Sequence, residues 1–429
     1  MRKCYKLEKS LSLEQLIHWS SCFSTSMALV SNLDSSGIED PYGQFDWIAA
    51  VDELDRLPVA TDFFDMLDDF QAGHRDWLFG HLSYDLKNES HPGLKSQHPD
   101  QIGFPTYNFF RPRFVLTSRK GVIEIQYDPE FDDESSVRKA LQQNYKRHDD
   151  EHAAIGYVDQ RVDKTTYLKQ AGKFIDHIQR GDIYEANYCM EFFREDVQLT
   201  PETTFLRLNE ISPMPQAAFY RLSDMYLMCA SPERYLSKSG NRVISQPIKG
   251  TIRRGETSEE DQVLRNKLLV DPKERAENVM ITDLVRNDLS RFAKRGTVKV
   301  AEQNQLLTYK KIHQLVSTVV AEVDDKATIG QILRNSFPMG SMTGAPKWRA
   351  MEIIEELEAT RRGLYSGSVG YISPENDFDF NVIIRSIQYN STKRYLSLMT
   401  GSALTAGCRP EQEYDECLLK AMTMKSALS

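Results

Sequence analysis

The sequence predicts an α+β fold with extensive antiparallel sheet. Long strand-like runs mix with helical segments without the regular βαβ alternation that indicates a parallel sheet. Of the 429 residues, 40% are hydrophobic and 27% are charged, a balance typical of a folded protein. We find no internal repeat and no low-complexity tract, so a solenoid and a long linker are both disfavoured.

The first part of the chain, residues 1–150, mixes short strands and helices. Residues 114–117 and 122–127 are predicted to pair as a hairpin around the turn Arg119-Lys120-Gly121. The polar stretch 128–156 contains one predicted short helix, at 135–147. This stretch is the best candidate for a boundary. We therefore divide the chain into 1–150 and 151–429, within one intertwined globular unit.

The second part, residues 151–429, has few natural breaks. Glycine after the first predicted helix and proline at the start of the last are typical helix-end signals. The predicted helices are 164–180, 261–292 and 346–357. The predicted strands are 225–236, 242–247, 379–390 and 394–401, of which the last two are expected to form a hairpin.

Charge and composition exclude several classes of function. The 53 basic and 62 acidic residues give a net charge of −9, which disfavours a nucleic-acid binder but not a small anionic substrate. No apolar run approaches the roughly 20 residues of a membrane helix, and the N-terminus lacks the apolar core of a signal peptide. The six cysteines form no CxxC pair, so we expect reduced thiols, a cytoplasmic location and no membrane partner.

Two short motifs carry candidate catalytic groups. Lys249 lies in Gln246-Pro247-Ile248-Lys249-Gly250-Thr251, at the predicted end of a strand. A buried lysine whose pKa is lowered becomes a neutral nucleophile, whereas a solvated turn lysine does not. Glu233, in Ser231-Pro232-Glu233-Arg234, is either a general acid in a dry site or one half of a surface ion pair.

Acidic residues on two separate predicted helices are candidate metal ligands. Glu277 lies in the first, and Glu416 lies far downstream, four residues before Lys420. Mg²⁺ prefers oxygen ligands and usually keeps several waters, so two such carboxylates suit it. The alternative is an ordinary ion pair between Glu416 and Lys420 on one helix face.

Three further features suit an anionic ligand. The segment 337–347 brings glycines and small residues to a helix start, where free N–H groups favour an anion. Arg385 is a cation inside an apolar strand and needs a carboxylate partner. His313 is either a catalytic group or a core histidine. Together these residues suit an Mg²⁺-dependent enzyme acting on a small dianion, but their spacing does not define the reaction.

These motifs resemble those of a known family, the chorismate-utilising enzymes, which include anthranilate synthase component I and isochorismate synthases. Residues 159–428 carry its motifs in order, and Phe79-Gly80-His81-Leu82-Ser83-Tyr84-Asp85 is similar to the N-terminal portion. The shared motifs are 181–184, Ser231-Pro232-Glu233-Arg234, 247–251, 283–288, 340–347 and 413–420. The resemblance implies large antiparallel sheets packed face to face with helices outside, and makes 151–429 the chorismate-binding catalytic portion.

The resemblance also implies a reaction. Anthranilate synthases have Ala where Lys249 stands, whereas the aminodeoxychorismate synthases have Lys, as a nucleophile that attacks C2 of chorismate. Ammonia then adds at C4, which gives 4-amino-4-deoxychorismate for 4-aminobenzoate and folate synthesis. Glu233 matches the general acid, and His313 matches a family histidine near the ring.

The implied binding residues come from the same motifs. Glu277 and Glu416 would hold Mg²⁺ against the C1 carboxylate of chorismate, and Lys420 would help to bind that carboxylate. Arg385 and Tyr365 would hold the enolpyruvyl carboxylate. The other implied contacts are Thr251, Thr343, Gly401 and Ser402.

Two positions depart from the family pattern. Glu185 replaces the usual Gln, and isochorismate synthases place there the Lys that activates water. Ala403 stands in a turn that is otherwise rich in glycine, which would be unfavourable if the residue needed a positive φ.

The chain shows no glutaminase nucleophile elbow around its cysteines. The resemblance therefore implies a separate glutamine amidotransferase subunit that supplies ammonia. The alternatives are anthranilate synthase component I and, from another class, a catalytically silent chorismate or amino-acid sensor. We also place a hypothetical feedback-ligand site near residues 31–35.

Overall fold

The α+β prediction is confirmed by a computed structural model, which describes residues 2–7, 10–31, 40–142 and 155–429. The helices of this part are α1 (Leu13–Ser20), α2 (Phe63–His74), α3 (Lys87–Ser90), α4 (Glu134–Leu141), α5 (Lys164–Gln179), α6 (Pro201–Ile211), α7 (Ser258–Val270), α8 (Pro272–Ser290), α9 (Ile329–Ser336), α10 (Lys347–Leu357) and α11 (Pro410–Ala427).

Its strands are β1 (Lys3–Lys6), β2 (Thr25–Val30), β3 (Trp47–Arg56), β4 (Leu78–Leu82), β5 (Tyr107–Arg119), β6 (Val122–Tyr127), β7 (Asp159–Gln160), β8 (Glu185–Arg194), β9 (Gln216–Leu222), β10 (Met225–Ser231), β11 (Arg234–Ser239), β12 (Arg242–Gln246), β13 (Ile248–Arg253), β14 (Lys299–Thr308), β15 (Ile312–Glu322), β16 (Gly344–Ala345), β17 (Ser368–Ile372), β18 (Phe378–Asn381), β19 (Ser386–Asn390) and β20 (Tyr395–Thr405).

The long strand β5 joins two antiparallel sheets. One edge of β5 pairs with β3, and the first sheet continues through β2, β9, β10, β19, β20 and β8. The start of its other edge pairs with β4, and the second sheet continues through β17, β18, β11, β12 and β15. Both β13 and β14 pair with β15 at the far end.

The two sheets pack face to face, as the resemblance implied. One buried cluster combines Met27 and Tyr220 of the first sheet with Phe79 and Tyr371 of the second. His81 Nδ1 on β4 lies 3.1 Å from the Tyr220 hydroxyl on β9. A shared apolar core of this kind is the usual way in which two sheets bury their inner faces.

Helices cover the outer faces of both sheets. Apolar residues of α1, α5, α6, α10 and α11 pack against the first sheet in one cluster that includes Phe174, Met424 and Phe192. Residues of α2, α8 and α9 pack against the second sheet, where Val285 and Val319 share a cluster. The helices α8 and α11 thereby carry acidic residues to one shared cavity.

Three predicted elements are interrupted in the structure. The predicted helix 261–292 is two helices, because Pro272 lacks an N–H and begins α8 while Asp271 caps it through the Lys273 and Glu274 N–H groups. The predicted strand 225–236 breaks between β10 and β11, and 379–390 breaks between β18 and β19. The hairpins β5–β6 and β19–β20 are confirmed. The predicted helix 135–147 begins as α4, and its residues 143–147 lie outside the described residues.

Strand pairing crosses the proposed boundary at residue 150. The pairs β2–β9 and β4–β17 join the first part of the chain to the second. The division into 1–150 and 151–429 therefore stays a prediction about the sequence. Within the described residues, no helix is both long enough and apolar enough to cross a bilayer, and the six cysteines are free thiols.

A buried ion pair between Lys347 and Asp288 holds the segment 337–347 against α8. Lys347 Nζ lies 2.6 Å from Asp288 Oδ2 and donates to the carbonyls of Ser336 and Pro338 at 3.0 and 2.8 Å.

Removing one partner of a buried pair leaves an uncompensated charge. We expect Asp288→Ala to lower the free energy of unfolding by about 3–5 kcal/mol, measured by chemical denaturation. Asp283→Ala, which breaks an exposed pair with Arg286 on the same helix, should cost at most about 1 kcal/mol; equal effects would contradict the argument.

Candidate active site

A cavity of about 550 Å³ opens between β13, β20, α8 and α11. It collects residues that are far apart in sequence and that come from both sheets. Nine of the predicted site residues line it: Glu233, Lys249, Thr251, Glu277, Tyr365, Arg385, Gly401, Glu416 and Lys420.

Three predicted site residues do not line the cavity. His313 is buried on the other face of β15, with Nε2 3.0 Å from Asp261 Oδ1 and Nδ1 2.9 Å from Thr308 Oγ1. Neighbouring strand residues point to opposite faces, so Gln314 faces the cavity instead. The hydroxyl of Thr343 donates to the Gly340 carbonyl at 3.1 Å, and Ser402 Oγ lies 3.0 Å from the Tyr167 hydroxyl. The hydrogen-bond partners of all three side chains also lie outside the cavity lining.

Lys249 enters the cavity from β13 and forms an ion pair with Glu185. Its Nζ donates to Glu185 Oε1 at 2.9 Å. The next residue, Gly250, lies at an irregularity in the pairing of β13 with β15 and has φ +86°, a conformation that favours glycine. Burial lowers the pKa of Lys249, but the charges of Glu185, Glu277 and Glu416 outweigh it and raise the pKa above its ordinary value. In the substrate-free cavity the ion pair therefore favours the ammonium form of Lys249 over the neutral amine that a nucleophile requires.

Glu233 lies in the break between β10 and β11 and is only 5% exposed. Its N–H donates to Ser231 Oγ at 3.2 Å. Burial raises the pKa of Glu233 to about 7, although the Ser341 hydroxyl and the positive charge of Lys249 lower it in part. A carboxyl group with this pKa is protonated in a large fraction of molecules near neutral pH, as a general acid must be.

Two helices present four glutamates to the cavity. Glu274 and Glu277 lie on α8, and Glu413 and Glu416 lie on α11, each pair spaced i,i+3 on one helix face. Sequence analysis missed Glu274 and Glu413, and the repeated spacing is the signal that identifies them.

Lysines neutralise part of the charge of these four glutamates, which we call the acidic wall. Lys273 Nζ lies 3.0 Å from Glu413 Oε1 and 3.8 Å from Glu277 Oε1. Lys420 Nζ lies 2.6 Å from Glu416 Oε1 and donates to the Gly401 carbonyl at 2.8 Å. Attraction to Lys420 more than offsets burial and lowers the pKa of Glu416, so this carboxylate is ionised.

The carboxylates of Glu277 and Glu416 fit a hard cation. Glu277 Oε1 is buried and has no hydrogen-bond partner among the described residues, and burial raises the pKa of Glu277 to about 7. In the part of the chain that the structure describes, no three His, Cys, Asp or Glu side chains are grouped as a complete metal site. Carboxylate oxygens are nevertheless the ligands that Mg²⁺ prefers, and Glu277 Oε1 has no competing hydrogen bond.

Arg385 supplies a cation with no acidic partner of its own. It lies in the break between β18 and β19 with φ +51°, a strained conformation that is typical of functional positions. No side chain in the described ranges forms a salt bridge with its guanidinium within 4.0 Å. Burial lowers the pKa of Arg385, as expected for a cation that lacks a close anion. Its guanidinium is therefore available to an anionic ligand.

The two departures from the family pattern have different consequences. Glu185 is paired with Lys249, as described above. Ala403 lies in β20 opposite Asn187 and has no positive φ, so its methyl group does not strain the backbone. Gly401 is the position that requires glycine, because a Cβ there would approach Cys189 Sγ to 2.7 Å.

The hypothetical feedback-ligand segment 31–35 lies outside the described residues except for Ser31. Ser31 borders a separate small cavity near Arg234. Arg234 is already paired there, at 2.7 Å from Asp40 Oδ2 and 2.9 Å from Asp379 Oδ1.

The arrangement of the main cavity suits a small dianion. Arg385 and Lys420 supply positive charge, the acidic wall suits a divalent cation, and Glu233 and Lys249 can exchange protons or bond to a ligand.

Comparisons with known proteins agree with this description. The chain is 39% identical over 256 residues to aminodeoxychorismate synthase component 1 of Bacillus subtilis. This match covers 60% of this chain and 54% of the Bacillus protein. It is also 34% identical over 362 residues to anthranilate synthase component 1 of Thermus thermophilus. That match covers 82% of this chain and 77% of the Thermus protein. The match therefore spans about half the length of the Bacillus relative.

A solved structure supports the fold. Anthranilate synthase component I from Streptococcus pneumoniae TIGR4 superimposes with a TM-score of 0.78 at 24% identity, covering 90% of this chain and 93% of that one. Residues 33–426 match the family described as chorismate binding enzyme. The chain therefore belongs to the chorismate binding enzyme family.

Proposed function

We infer that this chain converts chorismate and ammonia to 4-amino-4-deoxychorismate, for 4-aminobenzoate and folate synthesis. The observation that carries this proposal is the position of Lys249, whose Nζ enters the same cavity as Glu233, Arg385 and the acidic wall. A lysine so placed is a candidate nucleophile for a ring carbon of a bound diacid.

The cavity offers separate places for the two carboxylates of chorismate. Arg385, with Tyr365 beside it, would bind the enolpyruvyl carboxylate. Lys420 and the backbone around Gly401 would bind the C1 carboxylate, and Thr251 would contact the ring. Glu277 and Glu416 would hold Mg²⁺, which when bound screens the negative charge of the C1 carboxylate and orients it.

The proposed chemistry uses two displacements. The neutral amine of Lys249 bonds to C2 of chorismate while the ring double bonds shift and the C4–O bond breaks. Glu233 donates its proton to the departing hydroxyl, which leaves as water. Ammonia then bonds to C4, the double bonds shift back, and the C2–Nζ bond breaks to free Lys249 as a neutral amine. One proton of the new C4 ammonium passes to the Glu233 carboxylate, which restores the acid. Division of one difficult substitution into two easier ones is the advantage of covalent catalysis.

Anthranilate synthase component I is the main alternative, since relatives of both names match the chain. Lys249 favours amination at C4, because anthranilate synthases carry Ala at this position. Isochorismate synthases use a lysine at the position of Glu185 to activate water. This chain lacks that lysine, which disfavours water as the nucleophile. A catalytically silent chorismate or amino-acid sensor would have no need of Glu233 and Lys249 in one cavity.

The ammonia source is proposed to be a separate glutamine amidotransferase subunit. The matched Bacillus and Thermus proteins are each named component 1, which supports a multi-component enzyme. We place the assembly in the cytoplasm, where free thiols such as those of this chain persist.

A product assay tests the proposal. The protein is incubated with chorismate, Mg²⁺ and ammonium, and the products are separated and identified by mass spectrometry. We expect 4-amino-4-deoxychorismate. Anthranilate or isochorismate as the main product would refute the assignment, and chorismate binding without turnover, even with a glutaminase present, would favour the sensor.

The pKa of Glu233 predicts the pH dependence of amination. The protonated carboxyl is the active form, so its population declines as the pH rises through about 7. At a constant concentration of free ammonia, and with saturating Mg²⁺ to keep Glu277 ionised, kcat/KM for chorismate should be level below that pH and fall about tenfold per unit above it. Glu233→Gln should lower amination by about 100-fold or more and remove this fall. A wild-type profile that stays level to pH 9 would exclude Glu233 as the acid.

A further inference from the structure

The ion pair between Lys249 and Glu185 poses a chemical problem for the proposed mechanism. An ammonium has no lone pair, so Lys249 must lose a proton before it can bond to carbon. A bound substrate would displace water from beside Nζ, so the proton is best taken by a group that already contacts this atom. The acceptor must therefore be a side chain that touches Nζ.

Glu185 is the carboxylate that meets this requirement. Its Oε1 lies 2.9 Å from Nζ, and its side chain is only 6% exposed. It is the first residue of β8 and is held between Ala345 of β16 and Thr405 of β20. Flanking strands on both sides fix the backbone that carries the acceptor.

The other acids around Lys249 have different positions and roles. Their charges act on Lys249 from α8, from α11 and from the β10–β11 break, but within the described residues Nζ donates no hydrogen bond to any of them. They are Glu274, Glu277, Glu416 and Glu233. Glu277 and Glu416 are proposed for the metal, and Glu233 must keep its own proton for the leaving hydroxyl.

We propose that Glu185 is a catalytic residue that accepts the proton of Lys249 Nζ when chorismate is bound. This inference rests on the proposed function, in which Lys249 is the nucleophile. The proton moves from Nζ to the Glu185 carboxylate, and the freed amine bonds to C2 as the C4–O bond breaks. After ammonia has displaced the amine, Glu185 returns the proton to Nζ and the ion pair is restored.

The charge balance favours this transfer in the closed site. The resting pair holds one positive and one negative charge, and transfer leaves two neutral groups. A neutral pair costs less to bury than an ion pair once substrate has displaced water from around it. Substrate binding therefore converts a stable ammonium into a reactive amine without release of a proton to solvent.

The first test compares Glu185→Gln, Glu185→Asp and a control, Glu195→Gln, which changes an exposed glutamate just after β8. With chorismate, Mg²⁺ and ammonium at pH 7.5, Glu185→Gln should lower kcat by about 100-fold or more. Its kcat/KM relative to wild type should rise about tenfold per pH unit, because the amine must now lose its proton to solvent. Glu185→Asp should recover most of the loss, and Glu195→Gln should match the wild type.

The second test measures the pair without turnover. Acylation of Lys249 by acetic anhydride, quantified by peptide mass spectrometry, follows the fraction of neutral amine. Without the Glu185 charge the pKa of Lys249 should fall, and labelling at pH 8 should be at least about tenfold faster in Glu185→Gln than in wild type. Equal labelling would show that the pair does not control this proton and would overturn the proposal.

The two proposals fail in distinguishable ways. A wild-type protein that aminates C4, together with a Glu185→Gln variant of unchanged rate and pH profile, overturns the role of Glu185 alone. Anthranilate as the main wild-type product overturns the proposed function, and the proton transfer that rests on it falls at the same time.

Discussion

Lys249→Ala is expected to abolish formation of 4-amino-4-deoxychorismate, with a loss on the order of 10⁴-fold or more, because the substitution removes the nucleophile. Chorismate binding should persist, since Arg385, Lys420 and the acidic wall are unchanged. Without a covalent adduct at C2, ammonia is free to attack that carbon, so residual product should be of the anthranilate type. Product formation is measured by chromatography with mass detection.

A matched control separates this effect from a general loss of positive charge. Lys326→Ala changes an exposed lysine in the turn after β15 and should leave amination at the wild-type rate. Amination at C4 that is unchanged in Lys249→Ala would remove this residue from the mechanism and leave the cavity without its proposed nucleophile.

Glu277→Gln is expected to lower kcat/KM for chorismate by about 100-fold at low Mg²⁺, because a neutral amide is a weaker ligand than a carboxylate. Raising the Mg²⁺ concentration should restore part of the activity. Direct titration of the protein with Mg²⁺ by calorimetry should show weaker binding, which provides a readout besides turnover. Chelation of the metal in the wild type should abolish activity reversibly.

The control for this experiment is Glu411→Gln, which changes an exposed glutamate in the first turn of α11. It should bind Mg²⁺ and turn over chorismate as the wild type does. If Glu277→Gln required no more Mg²⁺ than Glu411→Gln, the acidic wall would have another purpose.

Local sequence signals predicted much of the fold. The β5–β6 hairpin follows from alternating apolar residues around a Lys-Gly turn, and α5 follows from helical periodicity that ends before Gly181. The face-to-face packing came from the family resemblance, because it depends on long-range pairs such as β4–β17, in which Gly370 pairs with Gly80, 290 residues earlier in the chain. No local pattern encodes such a pairing.

The element breaks were the hardest features to predict, although they position the chemistry. Apolar residues on both sides of Pro232 made β10 and β11 look like one strand, yet the break directs Glu233 into the cavity. The break that holds Arg385 is concealed in the same way, by the apolar run that precedes it. Strand sequences of this kind record burial, whereas the direction of a break is set by the neighbouring strands.

Residues of the site itself were predicted in part. Strand alternation places Gln314 rather than His313 at the cavity, and it could have been applied once the bounds of β15 were known. The pairing of Glu185 with Lys249 could not have been predicted, because β8 and β13 belong to different sheets. That pair, with the charges of Glu277 and Glu416, raises the pKa of Lys249 and so favours its ammonium form.

Rapid-quench peptide mass spectrometry tests the covalent role of Lys249 most directly. Wild-type protein is mixed with chorismate and Mg²⁺, quenched with acid within milliseconds and digested. We predict that the peptide containing Lys249 gains the mass of chorismate less one water, and that ammonium added before the quench removes the adduct as aminated product forms. Amination at C4 with no adduct at any time, or with an adduct on a different residue, would contradict the account.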